Sequence, residues 1–304
     1  MGEVLFTTND IASILRVDKS TIKRWTDEGK LKCFRTPGGH RKFRSEDVYN
    51  FMSENNYDSY SMQSLPKIMS DEMIIKSIVH KKEYNVLHSV CFSAAIKGKK
   101  EEILTLFTEI LDAGLSLSVL LDNILKPTTK KLDHLVTLEK LTVSEFYLAM
   151  NVLTSAIIQL NETVKKSPRN HKTIVCASVE NGKNETELAA LITLLEVNGY
   201  TTMNLGSGIG ADAIIQFITR TKPFAVCLHT SFSANKEILI KEVQKVAESA
   251  IANGSHCIAS GNAFTRDNVK DLNQVTLCSS FDDIEEIQFG TMNINSTLSQ
   301  TTNK

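Results

Sequence analysis

The spacing of the hydrophobic positions changes twice along the chain and predicts three kinds of segment. Short amphipathic helices fit residues 1–53, apolar residues recur three and four apart over 71–168, and short apolar runs alternate with helices over 169–289. The polar stretches 54–70 and 290–304 keep no sustained period, so they are expected to be a linker and a disordered tail. The pattern predicts a multidomain protein: a winged helix-turn-helix, a four-helix-type bundle and a flavodoxin-like α/β domain.

Two short helices open the first segment. Thr7 and Asp10 form a capping-box pair before the first helix, and Asp18 is a suitable N-cap for a second helix that ends near Glu28. Gly29 follows as a left-handed stop. Two such helices joined by a tight turn indicate a helix-turn-helix, whose second helix enters the major groove of DNA.

The second helix has one apolar and one basic face. Ile22 and Trp25 fall on the inner face, so Trp25 is expected to anchor the core rather than to stack on a base. Lys19 and Lys23 share the outer face at i, i+4, where like charges repel each other. A bound polyanion would neutralise that repulsion, whereas the alternative is a solvated charged face.

A hairpin is predicted after the second helix, because two alternating runs, 31–35 and 40–44, flank the turn sequence TPGG at 36–39. A hairpin in this position is a wing, and Ser45 is expected to cap a third helix over 46–53. The residues expected to contact DNA are Lys19, Ser20, Thr21, Lys23, Arg24, Arg35, Gly38, His40, Arg41 and Lys42.

The charge of the chain is unevenly distributed. Residues 16–44 contain ten Lys or Arg against three acids, a net charge of +7, while the whole chain is −1, so the remainder carries −8 by difference. One basic module on an otherwise acidic protein predicts double-stranded DNA as a partner.

The sequences TIKRW at 21–25 and RTPGGHRKF at 35–43 resemble the winged helix-turn-helix of MerR-type regulators. The resemblance implies sequence-specific binding to operator DNA and regulation of transcription, with repression as the expected direction. Two such modules read two half-sites, so we expect a homo-oligomer, either a dimer or a tetramer.

The middle and last segments carry clear start and stop signals. Gly114 is expected to end one helix of the bundle, Ser116 to cap the next, and a long helix to cover 142–165. Strand and helix then alternate at βαβ spacing, which predicts a parallel sheet. The predicted strands are 173–177, 201–205, 224–229, 256–259 and 275–278.

The order of the three segments, with LEVNGYTTMNLGSG at 195–208 and IASGNAF at 258–264, resembles the cobalamin-dependent light-sensing repressors. That resemblance implies adenosylcobalamin between the bundle and the α/β domain. The family's cobalt-binding His, however, aligns with Thr186, and a Thr hydroxyl is a poor ligand for cobalt. The Trp-His and Glu-His positions of the family's bundle also lack those residue types here. The expected degenerate cofactor site consists of Val136, Thr137, Phe146, Tyr147 and Thr186.

These departures predict a regulator that uses no cofactor, although a tetrapyrrole (cobalamin or haem) held by other residues is the alternative. A corrinoid carrier for methyl transfer is a third hypothesis, which Thr186 and the DNA-binding module disfavour. No catalytic constellation or metal-ligand spacing is apparent, so no enzymatic activity is expected: His229 is interpreted as a structural residue, and Glu180 and Glu185 lack an evident acid–base partner.

Cysteine usage and the start of the chain bear on its location. The six cysteines are scattered without a C-x-x-C pair, which predicts reduced and mostly buried thiols. The start of the sequence lacks a basic-then-apolar signal, and no apolar run approaches the length of a membrane span. A cytoplasmic protein without a membrane partner is therefore expected.

Overall fold

The computed structural model describes residues 5–15, 17–44, 47–48, 51, 72–82, 84–179, 185–231, 235–264, 272 and 274–287. The predicted linker at 54–70, the predicted tail, the loop 180–184 and most of the predicted third helix lie outside these residues. The chain divides into two compact units, Met1–Ala156 and Ile157–Lys304.

The N-terminal module combines two helices with a three-stranded antiparallel sheet. Its elements are β1 (Leu5–Thr7), α1 (Thr8–Leu15), α2 (Lys19–Asp27), β2 (Phe34–Arg35) and β3 (Arg41–Arg44). The sheet order is β1-β3-β2, so the predicted wing hairpin forms and gains β1 as a third strand. The core consists of Phe6, Ile11, Leu15, Ile22, Leu31 and Phe43.

Local capping fixes where both helices begin. The backbone amide of Thr7 donates to Asp10 Oδ2 at 2.6 Å, and the amide of Asp10 donates to Thr7 Oγ1 at 3.2 Å, which confirms the predicted capping box. The Asp18 carboxylate accepts from the Ser20 amide at 2.9 Å and caps α2, as predicted. Beyond α2, Gly29 has φ +71°, the left-handed conformation that ends a helix.

The middle of the chain is helical, as predicted. The helices are α3 (Glu72–Lys81), α4 (Tyr84–Ile96), α5 (Lys100–Asp112), α6 (Leu117–Leu120), α7 (Lys126–Thr137) and α8 (Val143–Thr163). A π-helical turn, Leu121–Leu125, joins α6 to α7. It lies just before Pro127, whose missing N–H and bulky ring are incompatible with a regular α-helical turn at that point.

The long helix α8 exposes several apolar side chains among polar ones. Between Glu145 and Glu162 the helix contains no charged residue, and Val143, Leu148 and Ile158 are 62%, 47% and 53% exposed. By length and composition alone, α8 is the one helix among the described residues that could cross a membrane. Core helices of soluble proteins pass the same test, and Glu145, Asn151 and Gln159 interrupt the apolar sequence of α8, so this helix does not contradict the expectation that no apolar run approaches the length of a membrane span.

The C-terminal unit is an α/β domain with a five-stranded parallel sheet. Its elements after α8 are β4 (Thr173–Ser178), α9 (Glu185–Val197), β5 (Thr201–Ser207), α10 (Ala211–Thr221), β6 (Ala225–His229), α11 (Lys236–Ala252), β7 (His256–Ser260), β8 (Val275–Cys278) and α12 (Phe281–Glu286). The strand order β5-β4-β6-β7-β8 is the doubly wound, flavodoxin-like topology that βαβ spacing predicted. Strand order reverses between β4 and β6, so the topological switch point lies there.

Candidate functional site

The outer face of α2 is open to solvent. Lys19, Ser20, Lys23 and Arg24 are exposed and Thr21 is half-buried. Ile22 is fully buried on the opposite face, and the half-buried Trp25 ring lies 5.0 Å from the Phe51 ring, as expected of a core anchor.

The acids at the two ends of α2 are held in their charged form. Hydrogen bonds from Ser20 lower the pKa of Asp18 below its ordinary value, with Lys19 and Lys23 acting in the same direction. At the other end, the hydrogen bond from Lys30 lowers the pKa of Glu28. The Glu28 carboxylate lies 2.7 Å from Lys30 Nζ and 4.0 Å from Arg24 Nε.

The wing turns tightly at the predicted glycines. The Thr36 amide donates to the His40 carbonyl at 3.0 Å, and the Gly39 amide donates to the Thr36 carbonyl at 2.8 Å. Gly39 has φ +78°, which side chains rarely tolerate, so the second glycine of TPGG is required by the backbone. Gly38 and His40 are exposed at the tip.

The cations of the wing differ in their surroundings. Arg41 is an ion-paired residue: its Nη2 lies 2.6 Å from Asp27 Oδ1, and its side chain is only 15% exposed. Arg35 Nη2 lies 3.9 Å from the same oxygen but is 61% exposed. Lys42 is half-buried and forms no ion pair with any residue that the structure describes. The number of basic residues in the sequence does not reveal that these three cations differ in exposure and ion pairing.

The bundle residues of the expected degenerate cofactor site lie at the end of α7 and the start of α8. Val136 is half-buried, and Thr137 is exposed with its hydroxyl donating to the Asp133 carbonyl at 2.8 Å. Phe146 is 4% exposed, whereas its neighbour Tyr147 is half exposed, and their rings meet edge-on at 5.6 Å. Val136 and Phe146 have no ligand atom, and none of the four side chains is the imidazole or carboxylate found in the family of cobalamin-dependent repressors.

A buried polar network lies at the carboxyl edge of the sheet, beside the switch point. His229, the last residue of β6, is 2% exposed, and Glu187 from the first turn of α9 is 5% exposed. His229 Nε2 lies 3.2 Å from Glu187 Oε2 and 3.1 Å from Ser231 Oγ, and His229 Nδ1 lies 2.9 Å from Ser260 Oγ. Ser231 also donates a short hydrogen bond to Glu187.

This arrangement gives both ring nitrogens of His229 a hydrogen-bonding partner, in a geometry that differs from a catalytic triad. Glu187 and Ser231 meet at the same ring nitrogen, whereas a catalytic triad places its acid and its nucleophile on opposite nitrogens of the histidine. Ser260, which does lie on the opposite nitrogen, is 1% exposed and beyond the reach of a substrate. The interpretation of His229 as a structurally satisfied residue is thus confirmed.

Sequence reasoning missed Glu187 as the partner of His229. The detectable signal was topological: Glu187 follows β4, His229 ends β6, and neighbouring parallel strands bring such positions together at one edge. Glu185, which the sequence singled out, lies 3.5 Å from Ser207 Oγ at the domain surface. Glu180 lies outside the described residues.

The cysteines match the prediction of reduced, mostly buried thiols. All six are free; Cys33 is half-buried and the other five are buried. Burial raises the pKa of the Cys91, Cys227 and Cys257 thiols to about 12, which keeps them protonated and unreactive. Within the described part of the chain, no three His, Cys, Asp or Glu side chains come together as a metal site.

Comparison with known proteins supports the assignment of the N-terminal module as a helix-turn-helix. A helix-turn-helix domain family matches residues 5–56. Transcriptional repressor DcmR of Methylorubrum extorquens (strain DSM 6343 / CIP 106787 / DM4) is 31% identical over 114 residues, which are 37% of this chain and 42% of that protein. The chain therefore matches less than half the length of this curated relative.

A solved structure shares the architecture of the remaining chain. The monomethylamine corrinoid protein of Methanosarcina barkeri matches with a TM-score of 0.56 at 12% identity, over 68% of this chain and 99% of that one. At that identity the likeness shows the fold alone. The protein thus carries an N-terminal helix-turn-helix domain, helical segments and a parallel α/β domain with the fold of cobalamin-binding proteins.

Among the described residues of the α/β domain, Thr186 and His229 do not fit a cobalt ligand role. Thr186, which replaces the expected histidine, is 1% exposed in the first turn of α9. The histidine nearest to it along this edge, His229, has both ring nitrogens engaged by side chains. His256 lies at the opposite end of the sheet and packs against the Phe224 ring at 5.1 Å.

Proposed function

We propose that this chain is a cytoplasmic, sequence-specific transcription regulator of the MerR type that represses transcription from double-stranded operator DNA. The observation that carries the proposal is the exposed basic face of α2 beside a basic wing, on a chain that is otherwise acidic. The similarity to a transcriptional repressor supports the same assignment.

Selection of bound duplexes from a random-sequence library tests the proposal directly. We expect the wild-type protein to enrich one motif with two half-sites. Lys23→Ala and Arg24→Ala should weaken binding, by about 1–3 kcal/mol for a side chain that contacts a base edge. Lys241→Ala is the matched control, because Lys241 is an exposed cation of the α/β domain. Enrichment of no motif, or equal binding by all variants, would refute the assignment.

We further propose that the bundle and the α/β domain serve assembly rather than cobalamin sensing or catalysis. Two observations support this part of the proposal. Thr186 stands at the ligand position, and both ring nitrogens of His229 are already hydrogen-bonded to side chains. A repressor that reads two half-sites needs at least two copies, and the exposed apolar side chains of α8, which are Val143, Leu148 and Ile158, offer a surface for that contact.

Light scattering and absorption spectroscopy separate this proposal from a tetrapyrrole-dependent regulator. The protein is purified from cells supplied with cobalamin and haem, and its mass is measured in the dark and after illumination. We expect a dimer or tetramer in both states, with no corrinoid or haem absorption band. A mass that changes with adenosylcobalamin, or a stoichiometric chromophore, would establish the tetrapyrrole-dependent alternative instead.

A further inference from the structure

The strand register sorts the cations of the wing onto two faces. Arg35 of β2 pairs with Arg41 of β3, and Phe34 pairs with Lys42. Because successive side chains of a strand alternate between faces, Arg35 and Arg41 share one face with the buried Phe43, while Phe34 and Lys42 share the other. Two kinds of basic residue therefore exist in the wing, one facing the helices and one facing away.

A single carboxylate connects the inward-facing cations to α2. Asp27 Oδ1 lies 2.6 Å from Arg41 Nη2 and 3.9 Å from Arg35 Nη2. Asp27 is the last residue of α2, so this contact joins the end of the recognition helix to both strands of the wing. A negative charge at a helix C-terminus opposes the helix dipole. Helix stability therefore gives no reason for an acid there, whereas an ion pair to the wing does.

The environment of Arg41 prevents it from serving DNA at the same time. Its side chain is 15% exposed, and its Nε is buried with no hydrogen-bond partner among the described residues. To reach a phosphate, the guanidinium would have to leave Asp27 and leave that carboxylate close to the DNA, where it would repel the backbone. Lys42 faces the other side of the sheet and carries no such constraint.

We propose that Asp27 and Arg41 are positioning residues that fix the wing relative to the recognition helix. Arg41, which was expected to contact DNA, then acts through Asp27, whereas Lys42, which forms no ion pair with a described residue, keeps its expected role as a phosphate contact. The inference rests on the proposed DNA-binding function and assigns different roles within it.

Salt dependence distinguishes a positioning cation from a phosphate contact. Binding of the library-selected duplex is titrated over a salt series for wild type, D27N, R41A and K42A. The slope of log K against log salt is negative, and each lost phosphate contact reduces its magnitude by about 0.9. We expect K42A to lose about that amount. D27N and R41A should keep the wild-type slope while binding on the order of 10-fold more weakly, and the double variant D27N/R41A should bind no more weakly than either single variant.

A charge swap provides the second variant. In D27R/R41D the pair is restored in reverse, so we expect affinity to recover toward wild type relative to R41D alone. A direct phosphate contact by Arg41 predicts no such recovery, because D27R/R41D lacks the contact just as R41D does. Loss of slope in R41A, wild-type affinity in D27N, or no recovery in the swap would each overturn the positioning role.

Failure of the proposed function is separately visible. A folded wild-type protein that selects no motif would refute DNA recognition, and the melting temperatures of D27N, R41A and D27N/R41A would then decide the ion pair alone. Non-additive shifts support the contact, and additive shifts overturn it. D27N preserves the shape of a side chain that is 61% exposed, so the variant is expected to fold.

Discussion

Acid should loosen the helical bundle through one buried histidine. His88 on α4 is 9% exposed, and its Nε2 is buried with no hydrogen-bond partner among the described residues. Burial, aided by the nearby Lys131 ammonium and opposed by a hydrogen bond to the Pro127 carbonyl, lowers the pKa of His88 from 6.5 to about 4. The neutral ring is therefore the form that the folded bundle accommodates.

The sign and size of the effect follow from these two pKa values. Between pH 6.5 and 4 the unfolded chain binds a proton at His88 that the folded chain does not bind, so stability is full above about pH 6.5 and falls with acidification. Each pKa unit corresponds to about 1.36 kcal/mol, which gives a loss of about 2 kcal/mol at pH 5 and about 3 kcal/mol once the pH is below 4.

Hydrogen exchange of the α4 amides in the full chain measures this loss locally. After correction for intrinsic exchange rates, protection at pH 5.0 should be about 30-fold lower than at pH 7.5 in wild type, corresponding to about 2 kcal/mol. His88→Gln should remove most of that pH dependence, because the glutamine side chain stays neutral over this pH range. His80→Gln, at an exposed position on α3, is the control and should leave it unchanged. The same pH dependence in His88→Gln as in wild type would refute the reasoning.

Three further experiments test packing and assembly. Phe146→Ala should destabilise the protein by about 3–5 kcal/mol in urea unfolding, while Tyr147→Ala, half exposed next to it, should cost far less; equal costs would contradict the burial difference. Gly199→Ala should cost about 1–3 kcal/mol more than Gly206→Ala, because both have positive φ but only the Gly199 site would press a Cβ against the Pro168 carbonyl; equal melting temperatures would exclude that contact. Ile158→Lys should lower the mass seen by light scattering if the exposed face of α8 mediates assembly, and an unchanged oligomer would exclude that face.

Much of the fold was predictable because its signals are local. The Thr7–Asp10 capping box, the Asp18 N-cap and the βαβ spacing all act within a few residues or a single repeat, and each appears in the structure. The strand β1 was missed because three residues carry no period, and they become a strand only by pairing with β3 more than thirty residues later. The π-helical turn before Pro127 was missed because proline predicts an interruption but not its geometry.

The candidate sites were predictable only where a single element supplies them. The outer face of α2 follows from helical spacing, and its residues are exposed as expected. The Glu187–His229 contact depends on which strands are neighbours, and the Asp27–Arg41 contact depends on how the wing folds back on α2. A sequence pattern gives the type and spacing of charges, but pairing across elements is decided by tertiary structure.

The pairing of acids within the N-terminal module sharpens the expected mode of DNA binding. The acids at the end of α2, Asp27 and Glu28, pair with cations of the wing and of the following turn. Within α2, the unpaired positive charge is therefore concentrated toward the start of the helix, where Lys19 and Lys23 form no ion pair with any described residue. The helix dipole adds its positive end at the same place. A recognition helix that enters the major groove by its N-terminal residues has this charge arrangement, which a uniformly basic module would not produce.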